Sequence, residues 1–463
     1  MLFTDWSFLV FFVVVLSAYW SLRSNALRKA LLLFASAFFY AMWDWRFLGL
    51  VALVILNTYT VTLLVAERTA RRRSRRTVLV AGVAVSLSVL GFFKYCNFFV
   101  DSLAGLVGRG HVELNILLPI GISFYTFHSI SYMVDTYRGK IEPTRNIGDV
   151  ALYILFFPQL VAGPIVRATD LLPQMRTARA IVPQQVKYFL TLFLIGYFKK
   201  AVVSDNIAKY VDLFFANPGD YGSADAGIAV FFYAVQIYCD FSGYTDMAIA
   251  AAGLLGYQLR PNFAHPYLAS NLIDFWRRWH ISLSSWLRDY LYIPLGGNHG
   301  GFLYQSRNVF ITMVLGGLWH GASWTFVAWG ALHGAGLIAC RVWFRLTGRP
   351  DTGATTYSLF GNALTFVWVC LAWIFFRSTS FQAAWDAIAC FGVWSAPKLM
   401  YWQSAVAIAV GLSILHVFFY RVDVPSAAQR MHQITFAACF GSALALILPF
   451  VNTDIRPFIY FQF

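Results

Sequence analysis

Charge is what this sequence has least of. Only 12% of its 463 residues are Asp, Glu, Lys or Arg, about half the share of a soluble globular chain. Motifs of soluble enzymes are missing too. There is no GxxxxGK[ST] phosphate loop, no HExxH and no GxSxG, which removes the sequence grounds for a P-loop nucleotidase, a zincin or a serine hydrolase. The six cysteines (Cys96, Cys239, Cys340, Cys370, Cys390, Cys439) lie far apart without a CxxC pair. Neither a zinc site nor a disulfide framework is indicated, and no metal is expected. The first segment, MLFTDWSFLVFFVVVLSAYW, lacks a basic leader and carries Asp5; it predicts an uncleaved first span, not a signal peptide. No long polar linker and no repeat period divides the chain, so residues 1–463 are expected to form a single membrane-embedded domain.

What is present is apolar surface. Hydrophobic residues make up 59% and aromatics 18%, and the mean hydropathy is +0.62. Long apolar runs recur at Phe8–Leu16, Phe47–Val65, Val78–Phe93, Val230–Tyr238, Thr325–Ala339, Ala405–Phe419 and Phe436–Phe450. They do not alternate apolar with polar residues, which excludes a transmembrane β-barrel. The pattern predicts an all-α polytopic membrane protein with roughly ten to thirteen transmembrane and re-entrant helices. Its solvent is the lipid bilayer.

The net charge of +14 sits mainly between the runs. ERTARRRSRR (Glu67–Arg76) holds six arginines directly after an apolar run, and Arg23, Arg28 and Lys29 follow the first one. Both clusters are cytoplasmic by the positive-inside rule if the N-terminus faces outward. The basic balance is therefore read as topology, and no nucleic-acid partner is expected. Soluble-looking interruptions are short: Tyr137–Gly148, Val166–Pro183, Ala216–Ala226 and Leu346–Tyr357.

Some apolar segments are broken. LYILFFPQLVAGPIVR (Leu152–Arg167) contains Pro158, Gln159, Gly163 and Pro164. Proline cannot continue a helical ladder, and irregular backbone at membrane depth needs protein or a wet cavity around it. NLIDFWRRWHISLSSWLRDYLYIPLGG (Asn271–Gly297) reads as one amphipathic helix ending at Pro294. At about 100° per residue, Trp276, Trp279, Leu283, Trp286, Leu287 and Tyr290 share a face, Arg277, Ser284 and Arg288 form a polar strip, and His280 lies on the seam. An interfacial helix explains that pattern as well as a site does. Further on, NVFITMVLGGLWHGASW (Asn308–Trp324) places His320 between Trp319 and Gly321 with no acidic neighbour. An ionisable side chain at membrane depth is costly unless it functions.

These blocks, with LPIGISFYTFHSISYMVDTYRG (Leu118–Gly139) and FFPQLVAGPIVR, resemble the membrane-bound O-acyltransferase (MBOAT) family, and within it the bacterial branch that O-acetylates exopolysaccharides. The resemblance covers about Leu118 to Phe463; before it, only hydropathy matches. It implies a ring of helices around a central tunnel, entered by a cytosolic acyl thioester from one end and an acceptor from the other. It implies acetyl-CoA as donor with no permanently bound cofactor, residence in the bacterial inner membrane, and a periplasmic acetyltransferase or other polysaccharide-modification subunit as partner. The family's principal catalytic histidine maps onto His320, and its second functional position, forty residues upstream, onto His280. A neutral imidazole in a partly dry tunnel could act as base towards an acceptor hydroxyl. Trp276, Arg277 and Trp319 are candidate supports, Arg277 or His280 for an oxyanion. Gly316, Gly317 and Gly321 would permit close approach of backbone or substrate. His128, His265, His299, His333, His416 and His432 read as structural.

Asp240 and Asp246 could hold a polar network near the tunnel or pair with arginine for structure, the second being favoured, and Lys199–Lys200 read as a cytoplasmic helix end near a phosphate-bearing donor. The aromatic tail RPFIYFQF (Arg456–Phe463) is an interfacial belt on composition alone. The resemblance adds that Tyr460 could relay the acyl group, since an aryl ester is a better leaving group than an alkyl ester. Transfer of D-alanine or another acyl group to a cell-wall polymer is the neighbouring reading. Alternating-access transport is the competing one, but no pair of matching broken segments appears in two halves. A scaffold for polysaccharide secretion is the third.

Overall fold

The computed structural model describes residues 1–67, 72–108, 114, 116–160, 163–348, 358–452 and 456–459. Every regular element among the described residues is helical, and none is a strand. Seven helices are long and apolar enough to cross a membrane: Asn25–Ala66, Ser74–Leu106, Ser223–Leu254, Trp324–Leu346, Leu359–Arg377, Gln403–Arg421 and Gln433–Phe450. The first of these divides at the Trp45–Phe47 turn into helices of 20 and 19 residues, each sufficient for a span. Val10, Phe34, Leu56, Leu364 and Leu446 are exposed, as lipid-facing residues are, because lipid removes the penalty for outward apolar side chains.

The chain forms two compact units, residues 1–190 with 247–260, and residues 191–246 with 261–463. The first is built on the buried helix Ile122–Tyr137 and on Phe8, Phe12, Phe39 and Phe157, whose rings pack within 6.3 Å of a neighbour in the group. The expected break in Leu152–Arg167 is present. A helix Ile147–Leu155 stops at Phe156, a single turn Phe157–Leu160 follows, and the chain is extended before Ala168–Arg176. Val161 and Ala162 lie outside the described residues. Gln159 is fully buried and donates to the Tyr153 carbonyl, so protein replaces water for its amide nitrogen.

The basic clusters differ from their sequence reading. Arg28 is buried, donates to the carbonyls of Leu22 and Arg179, and stacks on Tyr19 and Trp20. Lys29 pairs with Asp149 at 2.6 Å. Part of the first cluster thus holds the unit together. The arginine block is also not wholly a loop: a helix begins at Arg72, and Arg75 donates to the Val65 carbonyl. Arg68 and Arg71 lie outside the described residues.

The second unit contains residues 223–246 of the helix Ser223–Leu254, the short helices Leu272–Arg278 and Ile281–Leu287, and the long pair Gly301–His320 and Trp324–Leu346. A Cβ on Gly317 would overlap the Phe326 carbonyl, and one on Gly330 the Met313 carbonyl. Absent side chains therefore let that pair approach backbone to backbone, as small residues do inside membranes. Charge is paired within the unit, and the Lys200 cluster is buried. Lys200 lies 2.7 Å from Asp205 and 2.6 Å from Asp240, while Lys199 lies 2.7 Å from Asp246. The aspartates are paired with lysine where arginine was expected, and the lysines are consumed by them, so they form no free basic surface. Buried charges persist only when paired in this way.

Candidate functional site

The expected continuous helix over Asn271–Gly297 is broken where His280 stands. Leu272–Arg278 is capped by the Asn271 side chain, Ile281–Leu287 follows, and Arg288–Tyr292 widens into a π-turn. His280 itself is in the left-handed region at φ 43°, one of two such non-glycine residues described, with His265. Such backbone costs on the order of 1–3 kcal/mol and persists only where surroundings impose it. Two bonds do so: Ala264 N–H donates to the Arg278 carbonyl, and Ile281 N–H to the Asn262 carbonyl, both at 2.9 Å. The 262–264 strip thereby replaces the helical ladder across the break. Periodicity alone could not show this, because the competing partners lie 14 and 19 residues upstream of the groups they bond.

The break turns His280 inward. Its side chain is fully buried, 4.6 Å from Phe241 between ring centroids and 6.2 Å from Trp319. Burial pushes the pKa of this imidazole below its ordinary value. His320 ends the helix Gly301–His320 and is 3% exposed. Trp319, Trp329 and Phe376 surround it with centroids at 5.0, 5.0 and 5.4 Å. The His280 and His320 rings stand 6.4 Å apart. Two histidines forty residues apart in sequence are thus brought to one buried aromatic cluster.

The supporting candidates divide. Trp319 belongs to the cluster through both histidines. Trp276 reaches it through Trp329, at 5.8 Å, and through His333, whose Nδ1 accepts from the Trp276 indole at 3.3 Å. Arg277 is exposed and turned away, lining a cavity of about 680 Å³ with Trp276, Arg288, Ser284, Thr312 and Arg341. Neither His280 nor His320 lines that cavity. Gly317 and Gly321 give their space to protein: a Cβ on Gly317 would meet Phe326 and Gly330 backbone, and one on Gly321 the Phe326 ring.

His333, read as structural in the sequence, stands in the same aromatic cluster. It is fully buried, 4.8 Å from Trp329. The available signal was its setting in WGALHG: His333 follows Trp329 by one helical turn, with Gly330 and Gly334 beside it. No cluster of three or more His, Cys, Asp or Glu suited to a metal is found among the described residues.

Tyr460 lies outside the described residues, as do Phe461 and Phe463, but the chain leading to it does not. Arg456 pairs with Asp212, which also holds Arg377. Phe458 is buried against Phe241 and Tyr244 at 5.3 and 5.0 Å, and Ile459 N–H donates to Asp240 at 2.9 Å. Phe241 therefore touches both the tail and His280.

The chain resembles known proteins over most of its length. A family model described as MBOAT, membrane-bound O-acyltransferase family, matches residues 144–385. A probable alginate O-acetylase AlgI of Azotobacter vinelandii is 42% identical over 406 residues, covering 86% of this chain and 80% of that protein. A peptidoglycan O-acetyltransferase of Helicobacter pylori is 37% identical over 397 residues, covering 80% and 74%. A teichoic acid D-alanyltransferase of Bacillus subtilis is 25% identical over 353 residues, covering 72% and 86%.

Proposed function

The chain belongs to the membrane-bound O-acyltransferase family and is an O-acyltransferase; from that premise we propose that it moves an acetyl group from a cytosolic thioester, through the bacterial inner membrane, for O-acetylation of an exported polysaccharide. The relatives' activities on alginate and peptidoglycan support this reading. Within the chain, the observation that carries it is the pairing of buried His280 and His320 across 6.4 Å.

His320, or His280 beside it, takes the proton of an acceptor hydroxyl as that oxygen attacks the thioester carbonyl carbon. The new C–O bond forms, the C–S bond breaks, and the proton passes to the departing thiolate. A neutral imidazole is suited to be the base. Acetyl-CoA is the donor. The cavity bearing Arg277, Arg288 and Arg341 supports an anionic donor, since Nε and Nη1 of Arg341 are buried with no partner among the described residues, and guanidinium forks suit phosphates.

On the outer side, Tyr460 accepts the acetyl group on its phenol oxygen and yields it to a periplasmic acetyltransferase. Anchoring of residues 456–459 beside Phe241 supports a tail held near His280. The N-terminus is periplasmic. The test is the acetyl content of surface glycan in cells carrying His320→Ala. Loss of glycan acetate at wild-type levels of membrane-inserted protein is expected; unchanged acetate removes His320 from the chemistry. Recovery of an amino-acyl ester in place of acetate would favour D-alanyl transfer.

A further inference from the structure

Asn262 sits in the segment between the helices Ser223–Leu254 and Leu272–Arg278, and is 1% exposed. Its side-chain oxygen gathers three groups: Ser282 N–H at 3.0 Å, Ser282 Oγ at 2.9 Å and His280 Nδ1 at 3.2 Å. The Ser282 amide can only donate, so the Asn262 atom facing it is the carbonyl oxygen and not the amide nitrogen. An oxygen that accepts from Ser282 offers His280 nothing but lone pairs. Nδ1 of His280 must then carry the proton. In a neutral ring the other nitrogen, Nε2, is left bare, and Nε2 has no hydrogen-bond partner among the described residues. The same asparagine imposes the backbone break through its carbonyl, which accepts from Ile281 N–H at 2.9 Å.

We propose that Asn262 is a positioning residue that fixes His280 in the Nδ1–H tautomer and so presents Nε2 as the lone-pair nitrogen of the site. The inference rests on the reading of His280 and His320 as the acyl-transfer pair. The opposite tautomer is set at His333, where Nδ1 accepts from the Trp276 indole, and the neutral ring carries its proton on Nε2. Two buried histidines of one aromatic cluster are thus locked in different protonation patterns by their neighbours. A ring free to exchange tautomers would spend part of its time with Nε2 protonated and unable to accept a proton. Holding one tautomer is what the orienting partner of a catalytic histidine does, and its loss leaves the ring in place but wrongly protonated.

Leucine and aspartate both approximate the shape of asparagine, but only aspartate keeps an acceptor. Purified full-length protein carrying Asn262→Leu should show kcat for release of free thiol from acetyl-CoA lowered by roughly 10- to 100-fold, with KM for acetyl-CoA little changed. Asn262→Asp should retain most of the wild-type kcat. With ¹⁵N-labelled histidine, and His280→Gln to assign the resonance, the wild type should show the protonated nitrogen of His280 as Nδ1. Asn262→Asp should keep that signature and Asn262→Leu lose it. Retention of the Nδ1–H signal in Asn262→Leu, or a kcat loss in Asn262→Asp as large as in Asn262→Leu, overturns the inference. Should Asn262→Leu fail to fold, the aspartate variant and the wild-type spectrum still decide it: Nε2–H in the wild type ends the proposal. A normal rate in His280→Gln would instead sink the underlying site assignment, leaving the tautomer result to stand alone.

Discussion

His280 and Lys200 show how individual residues at depth are made tolerable. His280 gives one nitrogen to Asn262, whereas Lys200 is held between the carboxylates of Asp205 and Asp240. The second arrangement also reaches the tail, because Asp240 accepts from Ile459 N–H. Removal of Lys200 would deprive two buried carboxylates of their shared cation, a cost of several kcal/mol. The charge cluster therefore serves as an anchor for residues 456–459. Tyr460 is the next residue, and its proposed relay is tested by Tyr460→Phe, which keeps the ring and deletes the nucleophile. Wild-type protein levels with glycan acetate reduced to background are expected from quantitative ester analysis. A wild-type acetate content would leave the tail as an anchor only.

At the scale of elements, two devices build the site: a helix interrupted at His280 and a helix pair in close contact at Gly317 and Gly330. The first moves His280 to a position that a regular helix would deny it, and the second lets the helix ending at His320 pack closely beside Trp329. Gly317 stands one helical turn before His320, and the space of its missing side chain holds the Phe326 carbonyl. Gly317→Val would drive the pair apart, with overpacking costing about 1–3 kcal/mol. Thermal unfolding in detergent should report a lowered midpoint, and thiol release should fall with it as His320 shifts from Trp329. Unaltered stability and rate in that variant would mean that the pair tolerates a wider separation than its glycines suggest.

For the whole molecule, the governing quantity is which apolar surface meets lipid. Helices Gln403–Arg421 and Gln433–Phe450 bury almost nothing within the protein yet are strongly apolar, so they belong in a bilayer. Orientation is a separate matter and rests on the basic clusters. With Arg28 and Lys29 engaged in internal contacts, the arginines around Ser74 carry most of the positive-inside argument. The proposed N-out orientation places Ser74, which is exposed, in the cytosol. A cysteine at that position, on a background lacking the exposed Cys439, should resist a membrane-impermeant maleimide in intact spheroplasts and react once they are opened. Labelling before opening would invert the topology and put the thioester on the wrong side of the site.

Composition and pattern by themselves determined the solvent, the helical class and the broken segment at Pro158, because hydropathy and proline chemistry act locally. His320 was conspicuous as an ionisable residue in an apolar run, but the roles of His320 and His280 came from the family resemblance and not from pattern alone. Three things were decided only by tertiary structure. Lys199 and Lys200 look like a basic surface in the sequence, but their partners Asp205, Asp240 and Asp246 become visible only when helices pack. The helix over Asn271–Gly297 satisfies its amphipathic period and is nevertheless broken, because Asn262 and Ala264 supply hydrogen bonds from a distant strip. His333 reads as structural in the sequence, and it enters the cluster because the helix bearing it packs against Trp276. In each case a long-range contact competes with a local preference and wins, and local patterns hold no record of that competition.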